Sequence, residues 1–206
     1  MKYFRSLLLF ALGLLLLCGQ AGCIPRSIPV SQYTLAAQAR EPLASTRELP
    51  GLLLVGPVQL PPYIDGPGIV TRTGDSRINR SSSHFWAGPL DIMVRDTLTA
   101  DLARLLDSSL VAPWPGPRFG NPALQVEIIL LSFVGEPDAE FTCEAIWSLG
   151  DVRTRQMLRR RTFRTVLTLE GSDYTTYALI GSQALHQLAL EIARTLTNLD
   201  APGTDQ

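Results

Sequence analysis

Side chains able to do chemistry are scarce in this sequence, and their spacing is unproductive. The 206 residues hold three cysteines (Cys18, Cys23 and Cys143), two histidines (His84 and His186) and one lysine, Lys2. Metal sites draw on Cys and His at short, fixed spacings, and neither C-x-x-C nor H-E-x-x-H occurs. The G-x-S-x-G turn that exposes a nucleophilic serine and the glycine-rich loop that cradles phosphates are missing too. His186 sits beside Leu185 and Leu188 in a run of helical periodicity, where a packed or surface imidazole is the simpler reading. The expectation is a protein that is not an enzyme and uses neither cofactor nor metal.

Two other features could engage a partner. Arg153, Arg155, Arg159, Arg160, Arg161 and Arg164 fall within twelve residues. Such a cluster can contact anionic headgroups or an acidic surface; the plainer reading is a solvated strand whose charges discourage edge-to-edge pairing. The segment Ser83–Leu90 (SHFWAGPL) places Phe85 and Trp86 in a loop before a helix, where aromatics either plug the core, the simpler reading, or face a partner.

These residues need elements to position them, and the first segment is not one. Residues 6–18 carry no charge and follow MKYFR, while the unbroken apolar run, Leu7 to Leu17, is shorter than the roughly 20 residues of a spanning helix. It ends in the small residues Ala21-Gly22-Cys23, which makes 1–22 a cleaved signal peptide. Ala21-Gly22-Cys23 resembles a lipoprotein lipobox, with Gln20 where leucine is usual, so Cys23 is the expected site of lipidation and the membrane anchor. The rival is ordinary cleavage near Ala21, with Cys23 a free thiol. Two or three acyl chains give stable attachment where one gives only marginal binding. Ile24 rather than aspartate after the cysteine directs the expectation to the outer membrane, periplasmic face.

Removing 1–22 leaves 16 arginines against 19 acidic residues and no lysine. Schiff-base, Walker-type and Ser-Lys chemistry are thereby excluded. A formal charge near −3 argues against nucleic acid, whose binders carry a basic excess. With Cys23 acylated, Cys143 has no partner for an intrachain disulfide.

Residues 23–50 read as lipidated N-terminus, tether and a first strand near Tyr33–Ala36. The domain follows over 51–200, and 201–206 is a disordered tail. Leu52–Leu60 reads as a buried strand closed by Pro61-Pro62. A loop through Asp65-Gly66-Pro67-Gly68 leads to two short strands, 69–73 and 76–79, around Gly74-Asp75. Gly88 as N-cap and Pro89 at the first helical position open an amphipathic helix with Leu90, Val94, Leu98, Leu102 and Leu105 on one stripe. Strands at 124–134, 139–149 and 155–169 follow, the middle one alternating so that Phe141, Cys143, Ala145, Trp147 and Leu149 share a face. A last helix opens near Ser172-Asp173 and carries Leu185, Leu188, Ile192, Leu196 and Leu199. The fold class is α/β: a compact single domain, a mixed β-sheet covered by two long helices.

Leu60-Pro61-Pro62-Tyr63-Ile64-Asp65-Gly66-Pro67-Gly68-Ile69-Val70, then Phe85-Trp86-Ala87-Gly88-Pro89-Leu90-Asp91 and the following helix, resemble the PqiC/YmbA family of ABC-type transport auxiliary lipoproteins. Leu124–Phe133, the Glu144-Ala145-Ile146-Trp147 strand, the Arg161–Phe163 step and the last helix keep the same order, so the resemblance spans nearly the whole mature chain. It implies a non-enzymatic lipoprotein of a Gram-negative envelope. That protein would work with an MCE-domain protein and an inner-membrane component to move lipids between membranes and support envelope integrity. It also implies a homo-oligomer, since the MCE partners form rings. Head-to-tail closure needs two different patches on each protomer. The Tyr63–Val70 loop, with Tyr63 and Ile69, and the Phe85–Pro89 segment, with Phe85, Trp86 and Pro89, are the candidate partner or self-association surface. The rival is a stand-alone, periplasm-facing ligand-binding lipoprotein.

Overall fold

A computed structural model describes residues 3, 29–44, 48–116 and 120–199. Apart from Tyr3, the segment 1–22 expected to be a signal peptide lies outside them, as do Cys23 and the tail 201–206. Ten elements follow in chain order: β1 (Ser31–Tyr33), β2 (Leu52–Gln59), β3 (Gly68–Thr73), β4 (Arg77–Trp86), α1 (Leu90–Leu105), β5 (Val111–Pro113), β6 (Pro122–Gly135), β7 (Ala139–Asp151), β8 (Gln156–Leu169) and α2 (Tyr174–Thr197).

The eight strands form one mixed sheet. Its main path runs β1-β4-β3-β6-β2-β5, and β7 joins the other edge of β6 and pairs in turn with β8. β6 is the hub: β2 lies parallel along its first part, β3 meets it only at Thr71↔Gly135, and β7 runs antiparallel along nearly its full length. Antiparallel β6–β7–β8 needs only hairpin turns, whereas each parallel pairing requires a crossover. α1 supplies the crossover between β4 and β5.

One face of the sheet carries the core. On β7, Phe141, Cys143, Ala145, Trp147 and Leu149 are fully buried beneath the helices, while Glu144, Ile146 and Ser148 between them remain half-exposed on the opposite face. α1 packs on β2 and β5, α2 on β7 and β8, and the helices touch each other. Each large apolar side chain sealed in this layer contributes about 1.5–3 kcal/mol. Trp147 also donates its indole N–H to Glu191 at 2.8 Å, which satisfies the polar end of the largest core side chain.

The single-domain mixed sheet with two helices is as expected, and four local readings need correction. The first strand is Ser31–Tyr33 rather than Tyr33–Ala36. The strand expected at 76–79 extends to Trp86, so Phe85 and Trp86 belong to β4 and not to a loop. Apolar alternation could not reveal this strand, because β4 is held by pairing with β3 on one edge and β1 on the other while most of its side chains stay in water. Pro89 rather than Gly88 is the N-cap of α1, so the helix begins one residue later than expected, and there is no side-chain cap bond. β5 is three residues long, too short to leave a period, and was not anticipated. At α2 the expected cap is present: Asp173 accepts the Thr176 amide at 3.0 Å.

Candidate functional site

The two segments singled out for a surface meet in space. Gly68 pairs with Phe85, and the Trp86 amide donates to the Pro67 carbonyl at 2.8 Å, so the loop after Tyr63 and the end of β4 form one continuous patch. Arg80 staples it, its guanidinium donating to the carbonyls of Gly68 (3.1 Å), Tyr63 (2.9 Å) and Asp65 (3.2 Å). Gly68 is required there, since a Cβ would stand 2.6 Å from the Ser81 carbonyl oxygen.

Within that patch the surface assignment is corrected for two residues. Ile69 is 0% exposed and Trp86 5% exposed. Both belong to the core, Trp86 tilting against Tyr177 at 6.4 Å between ring centroids. Residue 69 is second in β3, whose first four residues are all buried, so its side chain has no path to solvent. Tyr63 and Phe85 are half-buried and Pro89 is exposed, which leaves these three to face a partner. Because the two segments are contiguous, they supply one patch rather than the pair that head-to-tail closure demands.

Beside this patch the chain enters the fold. β1 runs parallel to β4 with Tyr33 opposite Trp86. Tyr33 Oη shares a 2.8 Å hydrogen bond with His84 Nδ1, and the His84 ring stacks on Tyr174 at 4.1 Å with an 11° tilt. From Thr34 onward the segment, expected to continue the first strand to Ala36, is instead strapped across both helices. The Ala36 amide donates to Ser182 Oγ (3.1 Å) on α2, and Leu35 and Ala39 enter the core. Asp101 of α1, 0% exposed, accepts the amides of Gln38 (2.8 Å) and Ala39 (2.6 Å) on one carboxylate oxygen. Arg104 donates to the Ala39 carbonyl at 3.3 Å, and the Leu43 amide to that of Leu105 at 2.9 Å. His186 stands 3.6 Å from the Asp101 carboxylate, on the surface of neither helix alone but between them, in a packing role.

Asp101 is the site residue that sequence reasoning missed, and a signal existed. It lies three residues after Leu98 and four before Leu105, on the apolar stripe of α1, where a carboxylate has no place unless donors meet it. Those donors come from backbone 63 and 62 residues away, which no local pattern encodes.

The remaining reactive groups are quiet or unpaired. Cys143 is sealed in the core, and burial, followed by the neighbouring Glu144 charge, pushes its thiol up to about 12. The Tyr177 hydroxyl, raised by burial, donates to the Val70 carbonyl (2.7 Å) and accepts the Gly135 amide (3.0 Å), tying β3, β6 and α2 together. Among the described residues no group of three His, Cys, Asp or Glu side chains is arranged to hold a metal ion, and no helix is long and apolar enough to cross a membrane. Of the arginine cluster, Arg164 pairs with Glu144 at 3.0 Å and Arg153 with Asp151 at 3.9 Å. Arg155, Arg160 and Arg161 have no ion pair among the described residues.

Comparison with known proteins follows this geometry. The family model of the ABC-type transport auxiliary lipoprotein component matches residues 33–193, from the end of β1 into the last turns of α2. The chain is 30% identical over 178 residues to the intermembrane transport lipoprotein PqiC of Escherichia coli (strain K12), covering 84% of this chain and 92% of that protein, and the Shigella flexneri counterpart matches equally. A crystal structure of an uncharacterised protein superposes with a TM-score of 0.67 at 26% identity, over 81% of this chain and 98% of the other. A Xanthomonas campestris protein shares the fold at a TM-score of 0.67 and 20% identity, over 80% and 93% of the two chains. With the strap, nearly all of the sheet and most of both helices inside the matched region, the chain belongs to the family of ABC-type transport auxiliary lipoproteins.

Proposed function

We propose that the protein is an outer-membrane lipoprotein subunit of an MCE-type intermembrane lipid transport system, anchored by Cys23 and supporting envelope integrity by binding the periplasmic MCE protein. The observation that carries this reading is the end-to-end similarity to a protein named an intermembrane transport lipoprotein. Two features support it. The residues between Cys23 and the start of β1 allow a reach of at most about 29 Å, so the anchored domain works close to its bilayer. The entry of the chain supports an orientation with that end toward the bilayer: β1 enters beside Tyr174, while the β7–β8 turn lies at the opposite end of the sheet, beside the start of β6. Tyr63, Phe85 and Pro89 stand near the anchored end and are the accessible candidates for a partner or for a second copy of the chain.

The test is co-purification. Envelopes are solubilised in mild detergent, the tagged lipoprotein is captured, and proteins and lipids are identified together by mass spectrometry. Enrichment of an MCE-domain protein is expected. Its consistent absence, with lipid retained by the isolated protein, would favour the stand-alone ligand-binding lipoprotein instead.

A further inference from the structure

At the end of the sheet away from the strap, the face opposite the helices opens into a cleft of about 430 Å³. Its floor is one rung of the sheet: Glu127 of β6 pairs with Ser148 of β7, and Ser148 with Arg160 of β8. Neighbouring strands lie about 4.8 Å apart, so Glu127 and Arg160 stand roughly 10 Å from each other across Ser148, too far to form an ion pair. Arg155, in the β7–β8 turn, closes the end of the cleft, and Gln125 and Gln156 line its sides.

The charges here are unspent. Glu127, Arg155 and Arg160 make no ion pair or hydrogen bond among the described residues, whereas the neighbouring Arg153 and Arg164 each have a carboxylate. Asp151 also lines the cleft, but its carboxylate is occupied by the turn, accepting the amides of Arg153 (2.8 Å) and Thr154 (2.9 Å). The next rung on the same face, away from the β7–β8 turn, is Ile129 paired with Ile146, aliphatic and half-buried. The cleft therefore offers two guanidiniums, one separate carboxylate and an apolar exit. Guanidinium forks match phosphate oxygens in bidentate fashion, and a lone carboxylate matches an ammonium.

We propose that this cleft binds the zwitterionic headgroup of a phosphoethanolamine lipid, its phosphate held by Arg155 and Arg160, its ammonium by Glu127, and its chains leaving over Ile129 and Ile146. This deepens the lipid-transport reading and rests on it. The chemistry distinguishes a phosphoethanolamine lipid from a free phosphate, because only the former uses Glu127.

The mature, lipidated protein in an uncharged maltoside detergent is titrated with glycerophosphoethanolamine, glycerophosphoglycerol and inorganic phosphate, and binding is followed by the amide NMR shifts of Ser148 and Gly150. Saturable shifts with glycerophosphoethanolamine are expected, weaker with the other two. Arg160→Gln should weaken all three by about tenfold or more, as the loss of a charge-assisted bond implies. Glu127→Gln should weaken glycerophosphoethanolamine alone. Both side chains stand on the open face, so unfolding midpoints should not move. Equal binding of inorganic phosphate and glycerophosphoethanolamine, unaltered by Glu127→Gln, would reduce the cleft to an anion trap and overturn the assignment, as would the absence of saturable shifts. If the MCE partner still co-purifies in that case, the transport reading survives the loss of this one.

Discussion

Asp101→Ala is the most informative single change, because it removes one side chain and orphans two backbone donors at once. In the native protein Asp101 Oδ1 accepts from Gln38 at 2.8 Å and from Ala39 at 2.6 Å in a site with no solvent exposure. A buried donor left without a partner costs about 1–3 kcal/mol, and hydrogen bonds to a charged acceptor sit at the upper end of the net scale. Two such donors give an expected loss of roughly 2–5 kcal/mol, reduced by whatever relief comes from burying one carboxylate fewer. For a domain of this size each kcal/mol is worth about 2–4 °C, so the melting temperature should fall by roughly 5–15 °C. Asp101→Asn keeps an oxygen in place and should lose about 1 kcal/mol. Urea unfolding measures the loss, and hydrogen exchange locates it: the amides of Gln38 and Ala39 should lose protection in Asp101→Ala before those of β7. The strap argument fails if Asp101→Ala unfolds within about 0.5 kcal/mol of the parent, or if those two amides exchange unchanged.

Other perturbations test other parts of the reading. Trp86→Ala should cost about 3–5 kcal/mol, the price of an aromatic deleted from a sealed site, and a melting curve that does not move would contradict its core placement. Ile69→Asp should unfold the domain rather than merely disperse assemblies, since it buries a charge without a partner; a folded variant with altered light scattering would return Ile69 to the surface. The Cys143 thiol keeps its proton to about 12 when folded but ionises near its ordinary value of 9.0 when unfolded. Above pH 9 the unfolded state thus binds fewer protons and stability declines, by up to about 1.4 kcal/mol per pH unit; Cys143→Ala should flatten that decline in alkaline denaturation curves. Cys23→Ala should leave unprocessed precursor or a form released from outer membranes by carbonate washing, and its retention there without partners would show that Cys23 is not the anchor.

Much of the architecture was legible in the sequence because it rests on local periodicity. The stripe of α2, the alternation of β7 and the Asp173 cap are set by residues within a few positions of one another, so the chain announces them unaided. The scarcity of reactive side chains is likewise a property of composition, with one lysine and three cysteines among 206 residues. Burial was harder. Ile69 and Trp86 border runs of glycine and proline, Gly66-Pro67-Gly68 and Gly88-Pro89, and only the approach of β3 to β6, with Tyr177 bridging them, turns those two side chains inward.

What tertiary structure alone decided is the fate of polar groups. The sequence displays Asp101 as an anomaly on an apolar stripe; that it fastens the strap depends on backbone donors more than 60 residues away. The arginine cluster reads as one basic run, yet antiparallel pairing divides it, giving Glu144 to Arg164 while Arg155 and Arg160 have no ion pair among the described residues and line the same cleft as Glu127. Cross-strand register sets which charges meet, and register is fixed by the hairpin turn and the buried face together, a condition satisfied only when the whole sheet has formed.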